Sequence, residues 1–151
     1  MVFQESANDS LHLTGALMMG ALLLHAFVRV LCDVFHHRIV SSSTIFGSLS
    51  AYLLLGSAFA MMFYALEVAF PGSFELHGNS LTEEIPFAKL GPVLSYFSVV
   101  TLTTLGFGDL LPVSAEARSL VAVEALLGQI FLVVLVARLV SVYGRESDEP
   151  A

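Results

Sequence analysis

Long apolar stretches dominate the hydrophobic pattern of this chain, and three of them are long enough to cross a lipid bilayer. They cover residues 11–31, 45–70 and 117–143 and contain between one and three charged residues each. A membrane-spanning helix needs about 20 mostly apolar residues. The pattern therefore predicts three transmembrane helices, of which the second and third are long enough to tilt or to project beyond the hydrocarbon.

The first apolar stretch could be a signal peptide, an interfacial helix or a span. The residues before it, MVFQESANDS, lack the basic segment of a signal peptide, and no convincing small-x-small cleavage site precedes Cys32. We favour a span, followed by a polar joint over residues 33–44. Whether the chain is complete or a pore module trimmed from a longer protein stays open.

Composition agrees with a membrane protein. The chain is 56% hydrophobic but only 13% charged, against about 25% charged residues in a typical soluble domain. Its net charge of −7 leaves no basic face for nucleic acid. With one cysteine, Cys32, it can form no internal disulfide and no zinc or redox pair. The composition argues against a soluble enzyme, a nucleic-acid-binding domain and a disordered protein.

The distribution of lysine and arginine predicts the orientation, because cytoplasmic loops carry the excess of these residues. Four basic residues fall on one side of the predicted spans and two on the other. This places the joint and the C-terminus in the cytoplasm and the N-terminus outside. The larger group is Arg29, Arg38, Arg138 and Arg145, and the smaller is Lys89 and Arg118.

Residues 91–112, GPVLSYFSVVTLTTLGFGDLLP, are too few to cross the membrane twice and too apolar for an ordinary loop. Irregular backbone at membrane depth is tolerated only where protein buries it or water reaches it. We therefore predict a re-entrant helix over residues 92–103, with Pro92 in its first turn, and then an extended strand. Ser114 is placed to cap the third span. The preceding residues 71–90 are predicted to be an exposed connection.

Residues 101–109, TLTTLGFGD, resemble the potassium-channel signature T-x-x-T-x-G-[YF]-G-D, and residues 124–129 read EALLGQ. Prokaryotic pores of the ion-channel family carry both patterns. The resemblance covers residues 45–143 but not residues 1–44. It implies an all-α tetrameric membrane protein with an outer helix at 45–70, a pore helix at 92–103, a filter at 104–109 and an inner helix at 117–143. The N-terminal helix would be an addition, and residues 144–151 a short cytoplasmic tail.

The resemblance also implies a function, the passive and selective conduction of K⁺ across a prokaryotic cell membrane. Backbone carbonyls that replace the hydration shell of K⁺ would line the filter, and four copies would complete each ring of oxygens in a homotetramer. K⁺ and lipid are the implied partners, with no cofactor, no other metal, no nucleic acid and no small-molecule substrate. The carbonyls would come from Thr104, Leu105, Gly106 and Phe107, joined by the Thr104 hydroxyl.

The implied surroundings of the filter depart from the usual pattern in several places. Thr101 and Gly108 match the motif, and Asp109 would concentrate cations at the outer mouth. Leu105 stands where valine or isoleucine is more usual. Phe107 replaces the usual tyrosine and lacks its hydroxyl. We therefore expect a filter braced more by packing than by hydrogen bonds, with altered inactivation but persistent K⁺ selectivity.

Three residues of the pore helix bear on that bracing. Tyr96 and Phe97 occupy the positions of the aromatic cuff around the filter, and Val100 replaces an acidic residue that some members have behind it. The hydroxyl that Phe107 lacks would have bonded to this cuff. The cuff is therefore expected to support the filter by packing alone.

The third span offers a candidate hinge and gate. Gly128 lies 20 residues after Gly108, a distance that resembles the inner-helix hinge, although close packing of a small residue is an equal alternative. Gln129 would face the cavity below the filter. An apolar stripe that follows at helical spacing would gate by dewetting, or would only pack against neighbouring helices. The stripe is Leu132, Val136 and Val140.

Glu124 is an unexpected acid inside a span, where a charge is costly and usually paired or functional. We expect it to bond a hydroxyl of the pore helix, from Ser98 or Thr103. The sharper alternative is a titrating sensor that acts on the gate. A voltage sensor is not predicted, because the first span holds Arg29 alone.

Two further functions remain as alternatives to a potassium-selective channel. One is a weakly selective cation channel, because of Leu105 and Phe107. The other is a non-conducting regulatory subunit that keeps the motif. A membrane enzyme is the weakest rival, since no nucleophile–base pair is evident in the sequence.

Overall fold

The computed structural model describes the backbone of residues 2–36 and 42–146 and the side chains of residues 10–34, 44–137 and 140. Within these residues the chain is mostly helical, with three short strands between the second and the last helix. The helices are α1 (Val2–His36), α2 (Ser42–Ala69), α3 (Leu81–Glu84), α4 (Phe87–Leu102) and α5 (Ala115–Glu146). The strands are β1 (Phe74–Leu76), β2 (Asn79–Ser80) and β3 (Leu110–Pro112).

Three of the helices are long and apolar enough to cross a membrane, as the sequence predicts. The candidate spans are Ser10–Val34, Thr44–Ala69 and Ala115–Ala137. The polar joint predicted over residues 33–44 is shorter than expected, because α1 continues to His36 and α2 begins at Ser42. Residues 37–41 lie outside the described residues, and so do residues 147–151 of the expected tail.

Helices α1 and α2 form an antiparallel pair that small residues bring close together. A Cβ atom on Gly20 of α1 would lie 3.4 Å from the Cβ atom of Met61, and one on Gly47 of α2 would lie 3.1 Å from Val34 Cγ2. Small residues at such crossings let helix backbones approach each other in membranes. The N-terminal helix is therefore packed along the second span.

The connection after α2 is folded rather than simply exposed, and in this respect the sequence prediction was wrong. Strand β1 is the centre of a sheet in the order β2-β1-β3, with antiparallel pairing on both sides. The pairing sets Phe74 opposite Pro112 and Leu76 opposite Leu110. Phe74 and Leu81 are fully buried, so this segment contributes to the core beneath it.

Three phenylalanine rings join α2, β1 and α4 in that core. Phe63, Phe74 and Phe97 have ring centroids 5.4 to 5.5 Å apart and meet edge to face, an arrangement that aromatic rings favour. Phe97, expected in the aromatic cuff beside Tyr96, thus packs into the core of its own chain. Its neighbour Tyr96 remains 41% exposed.

Helix α4 begins five residues before its predicted start. Pro86 is extended, with φ −59° and ψ 144°, and its carbonyl accepts the N–H of Lys89 at 2.8 Å. Pro92, predicted in the first turn, lies inside the helix instead. It is tolerated because the carbonyl that it leaves unpaired belongs to Ala88, an exposed residue.

The start of α5 confirms the predicted cap. The Ser114 hydroxyl accepts the backbone N–H of Ala117 at 3.1 Å, and Glu116 stands in the first turn. Ser114 O also accepts the N–H of Arg118 at 3.0 Å. A serine at this position satisfies donors that the helix itself leaves unpaired.

Two glycines let α2 and α5 close on the end of α4. A Cβ atom on Gly128 would lie 2.8 Å from Leu102 Cδ1 and 3.0 Å from Leu102 O, and one on Gly56 would lie 3.2 Å from Leu102 Cδ2. The Leu102 side chain is thus held between the backbones of two spans. This supports the close-packing alternative for Gly128, and α5 runs through that residue as one continuous helix.

We predict that Gly128→Ala destabilises the fold, because its methyl group would have to displace a backbone carbonyl as well as a side chain. Overpacking of this kind costs about 1–3 kcal/mol. Thermal unfolding of the purified protein in detergent measures the effect. Gly15→Ala is the control, because nothing lies within 4 Å of its added Cβ atom; equal melting temperatures for the two variants would contradict the prediction.

Candidate functional site

The signature segment, residues 101–109, leaves α4 through an alternating backbone. Thr104 has φ +58°, Gly106 has φ +58° and Gly108 has φ +76°. Positive φ therefore recurs at every second residue. The sequence points to the two glycines, which adopt this region without strain. It gives no such signal for Thr104, because a β-branched residue disfavours positive φ.

Backbone hydrogen bonds tie the start of this segment to the last turn of α4. Val100 O accepts the N–H of Leu105 at 2.9 Å and that of Gly106 at 3.4 Å. Thr101 O accepts the N–H of Thr104 at 3.0 Å. Side chains are not needed for these bonds, so the substitution of leucine at position 105 leaves them intact.

Tyr96 connects two later residues of the segment to α4. Its ring stacks on that of Phe107, with centroids 6.4 Å apart and planes 7° apart, and its hydroxyl donates to Asp109 Oδ2 at 2.9 Å. Phe107 thus contacts one of the two expected cuff residues, and Tyr96 makes a hydrogen bond that the sequence analysis did not predict. Desolvation raises the pKa of Tyr96, and the hydrogen bond to Asp109 and the negative charge of Asp109 raise it further. The Tyr96 hydroxyl is therefore a donor at neutral pH.

The outer end of the segment is held by the sheet. Asp109 O accepts the N–H of His77 at 3.4 Å, and Ser73 O accepts the N–H of Val113 at 2.9 Å. Strand β3 begins directly after Asp109 and pairs with β1. The connection between α2 and α4 therefore fixes the path of the chain on both sides of Leu110.

Glu67, near the end of α2, anchors that connection and was assigned no role from the sequence. Its side chain is fully buried. Oε1 accepts the N–H of Gly72 at 2.9 Å and Oε2 accepts that of Phe74 at 3.0 Å. A carboxylate that accepts backbone N–H groups on both oxygens stabilises a tight reversal of the chain. Gly72, with φ +85°, supplies the turn.

A single chain leaves much of the signature segment uncovered. Leu105 is 58% exposed and Phe107 is 64% exposed, although both are large and apolar. The expected cavity and gate residues of α5 are exposed as well. These are Gln129, Leu132, Val136 and Val140. Contiguous apolar exposure of this kind marks a surface that contacts protein or lipid.

Glu124 bonds Ser98, one of the two partners proposed from the sequence. Ser98 and Glu124 are both fully buried, and their side chains are in hydrogen-bond contact through Oγ and Oε1. The other proposed partner, Thr103, directs its hydroxyl to Val99 O at 2.7 Å. Glu124 thus faces the interface of α5 with α4.

Tyr52 is a second contact that the sequence analysis missed. Its hydroxyl donates to Leu102 O at 2.8 Å, across 50 residues of sequence. The Tyr52 ring also contacts that of Phe131 in α5, with centroids 5.6 Å apart and planes tilted by 33°. The only signal in the sequence was the phenol hydroxyl of Tyr52 within a mostly apolar helix.

Among the residues that the structure describes, no three His, Cys, Asp or Glu side chains form a group suited to a metal ion. Apart from the Asp109 carboxylate, the oxygens of the signature segment are backbone carbonyls and threonine hydroxyls, which are neutral. Oxygens of this kind can replace the hydration shell of a cation where several of them converge.

Comparison with known proteins agrees with this chemistry. A family model described as an ion channel matches residues 91–145. The chain is also 32% identical, over 108 residues, to the inward rectifier potassium channel Kirbac3.1 of Paramagnetospirillum magnetotacticum. Both matches support a two-transmembrane pore module of the potassium-channel type. The family resemblance of residues 101–109 is thereby confirmed.

The alignment to that relative covers 68% of this chain but 31% of the relative, so this chain spans less than a third of the relative's length. No solved structure matches the chain. Both matches, and the three apolar helices, point to an integral membrane protein of the ion-channel type rather than to an enzyme.

We predict that Glu67→Gln loosens the outer end of the pore module. An amide offers one acceptor where the carboxylate offers two, so an N–H of Gly72 or Phe74 loses its partner. An unsatisfied buried group costs about 1–3 kcal/mol. Hydrogen exchange at residues 72–76 and 110–113 should accelerate.

Glu83→Gln is the matched control, because Glu83 is an exposed acid of the same connection. Its exchange rates should equal those of the parent. Unchanged exchange in Glu67→Gln would show that the buried carboxylate does not hold this turn.

Proposed function

We propose that this protein is a passive, potassium-selective channel in which four copies of the chain surround a single pore. K⁺ is the transported ion, and no cofactor takes part. Residues 104–109 act as the filter, α4 as the pore helix, α2 as the outer helix and α5 as the inner helix.

The alternating backbone of the filter carries this proposal. In an ordinary strand, successive carbonyls point to opposite sides. Positive φ at Thr104, Gly106 and Gly108 interrupts that alternation and allows consecutive carbonyls to face one axis. A row of such carbonyls replaces the hydration shell of K⁺. The carbonyls belong to Thr104, Leu105, Gly106 and Phe107, and the Thr104 hydroxyl extends the row inward.

The homotetramer is supported by what one chain leaves uncovered. One chain supplies a single oxygen at each level of the filter, whereas a dehydrated cation needs a ring of them. The exposed Leu105 and Phe107 side chains would be covered by neighbouring copies. Cyclic symmetry about the pore axis closes such an assembly.

The proposed orientation has the N-terminus outside and the C-terminus in the cytoplasm of a prokaryotic cell. The excess of basic residues at the inner ends of the spans supports it. The sheet and Asp109 then face outward, where the free oxygen of the Asp109 carboxylate attracts cations to the mouth. Helix α4 directs the partial negative charge of its C-terminal end toward the cavity.

The inner helix supplies the proposed gate. Gln129 would line the cavity, and Leu132, Val136 and Val140 would form an apolar constriction that closes by dewetting. Their exposure in a single chain supports a role in lining or in contact with neighbouring copies. Close packing of Gly128 on Leu102 favours bending of α5 below Gly128 rather than at it.

Flux of K⁺ and Na⁺ from liposomes that contain the purified protein tests the proposal. We expect K⁺ flux that barium blocks, with little Na⁺ flux. Gly106→Ala should abolish the flux, because alanine disfavours φ +58°. Gly15→Ala, a change in α1 with nothing within 4 Å of the added Cβ atom, should leave it intact.

Equal K⁺ and Na⁺ flux would replace the proposal with a weakly selective cation channel. Absence of flux at every pH and voltage would contradict conduction and favour a non-conducting subunit.

A further inference from the structure

A buried polar cluster joins the three helices of the pore module below the filter. Ser98 Oγ lies 2.7 Å from Gly56 O of α2 and in hydrogen-bond contact with Glu124 Oε1 of α5. Ser98 and Glu124 have no exposed surface. Glu124 Oε2 is buried without any hydrogen-bond partner.

Counting hydrogens in this cluster fixes the charge of Glu124. A serine hydroxyl has one hydrogen to donate. The carbonyl of Gly56 and an ionised carboxylate are both acceptors, so Ser98 could not satisfy the two of them. Two oxygens 2.7 Å apart with no hydrogen between them would repel each other. Both contacts are satisfied only if Ser98 donates to Gly56 O and Glu124 donates a proton to Ser98.

The remaining oxygen agrees with this assignment. If Oε1 of Glu124 carries the proton, then Oε2 is the carbonyl oxygen of a neutral acid. Leaving a neutral carbonyl without a partner in a buried site costs far less than leaving an anionic oxygen there. The lack of a partner for Oε2 therefore fits a neutral carboxylic acid and does not fit an ionised carboxylate.

The described side chains that act on Glu124 are uncharged. Helix α4 presents Ser98 to it, and α2 presents the phenol of Tyr52, whose hydroxyl is already donated to Leu102 O. Within the described part of the chain, no lysine, arginine or histidine acts on this carboxyl group. An isolated buried carboxylate is strongly unfavourable in such surroundings.

We propose that Glu124 is a positioning residue that holds a proton at neutral pH, and that this proton fastens the end of the pore helix to both membrane spans. Ser98 lies one helical turn before Leu102, from which the filter departs. At alkaline pH, hydroxide removes this proton. The single hydrogen of Ser98 then cannot bond both Gly56 O and the Glu124 carboxylate. The pore helix then loosens, and the filter above it loses its support.

This inference deepens the proposed function, and its first test does not depend on conduction. Infrared spectroscopy of the purified protein detects the C=O stretch of a protonated carboxyl group. We expect the parent to show such a band at neutral pH and Glu124→Gln to lack it. Glu116→Gln, which changes an exposed acid of the same helix, should keep it. A band that is absent in the parent, or unchanged in Glu124→Gln, would overturn the proposal.

The second test uses rescue by the neutral isostere. The amide of Glu124→Gln can donate to Ser98 at every pH, whereas the methyl group of Glu124→Ala cannot. We expect the thermal stability of the parent to fall at alkaline pH. The stability of Glu124→Gln should fall less over the same pH range, and Glu124→Ala should be less stable than the parent at neutral pH as well. The same alkaline loss in parent and Glu124→Gln would contradict the role of the proton.

K⁺ flux over the same pH range completes the test. The parent should lose flux at alkaline pH and Glu124→Gln should lose less of it. If the parent carries no flux at all, the proposed function fails, while the infrared band and the stability profile still decide the state of Glu124.

Discussion

The end of α4 has to satisfy its last carbonyls inside the protein, and the contacts around it meet that requirement. A helix leaves its final carbonyls unpaired, and lipid offers no water to bond them. Here Val99 O accepts the N–H and the hydroxyl of Thr103, and Val100 O accepts two N–H groups of the signature segment. Leu102 O accepts the hydroxyl of Tyr52. The helix can therefore stop inside the protein and release an irregular strand.

The same end point is fixed laterally by close packing. Gly56 and Gly128 admit the Leu102 side chain between two spans, and Ser98 bonds both of those spans one turn earlier. A polar contact and an apolar contact thus act on neighbouring turns of one helix. The sheet, whose first turn Glu67 anchors, holds the other end of the signature segment, so that segment is constrained at both ends.

The sequence predicted the spans, the position of the signature and a bond from Glu124 to Ser98 or Thr103, because apolar length, a specific motif and the cost of a buried acid are local signals. It could not choose between the two hydroxyls, and the structure has Ser98. It did not predict the sheet, because strands of two or three residues have no recognisable periodicity. Glu67 was missed because its partners are backbone N–H groups, which every residue carries. The positive φ of Thr104 depends on bonds to the end of α4 rather than on the preference of threonine.

The central claim is that four chains place the backbone carbonyls of the filter around one axis, where they bind K⁺. A cryo-electron microscopy map of the protein in lipid nanodiscs with K⁺ tests it most directly. The account predicts a four-fold assembly with ion density on the axis at the level of Thr104 to Phe107, and loss or rearrangement of that density when Na⁺ replaces K⁺. A monomer or dimer, or a four-fold assembly whose filter carbonyls point away from the axis in K⁺, would contradict it.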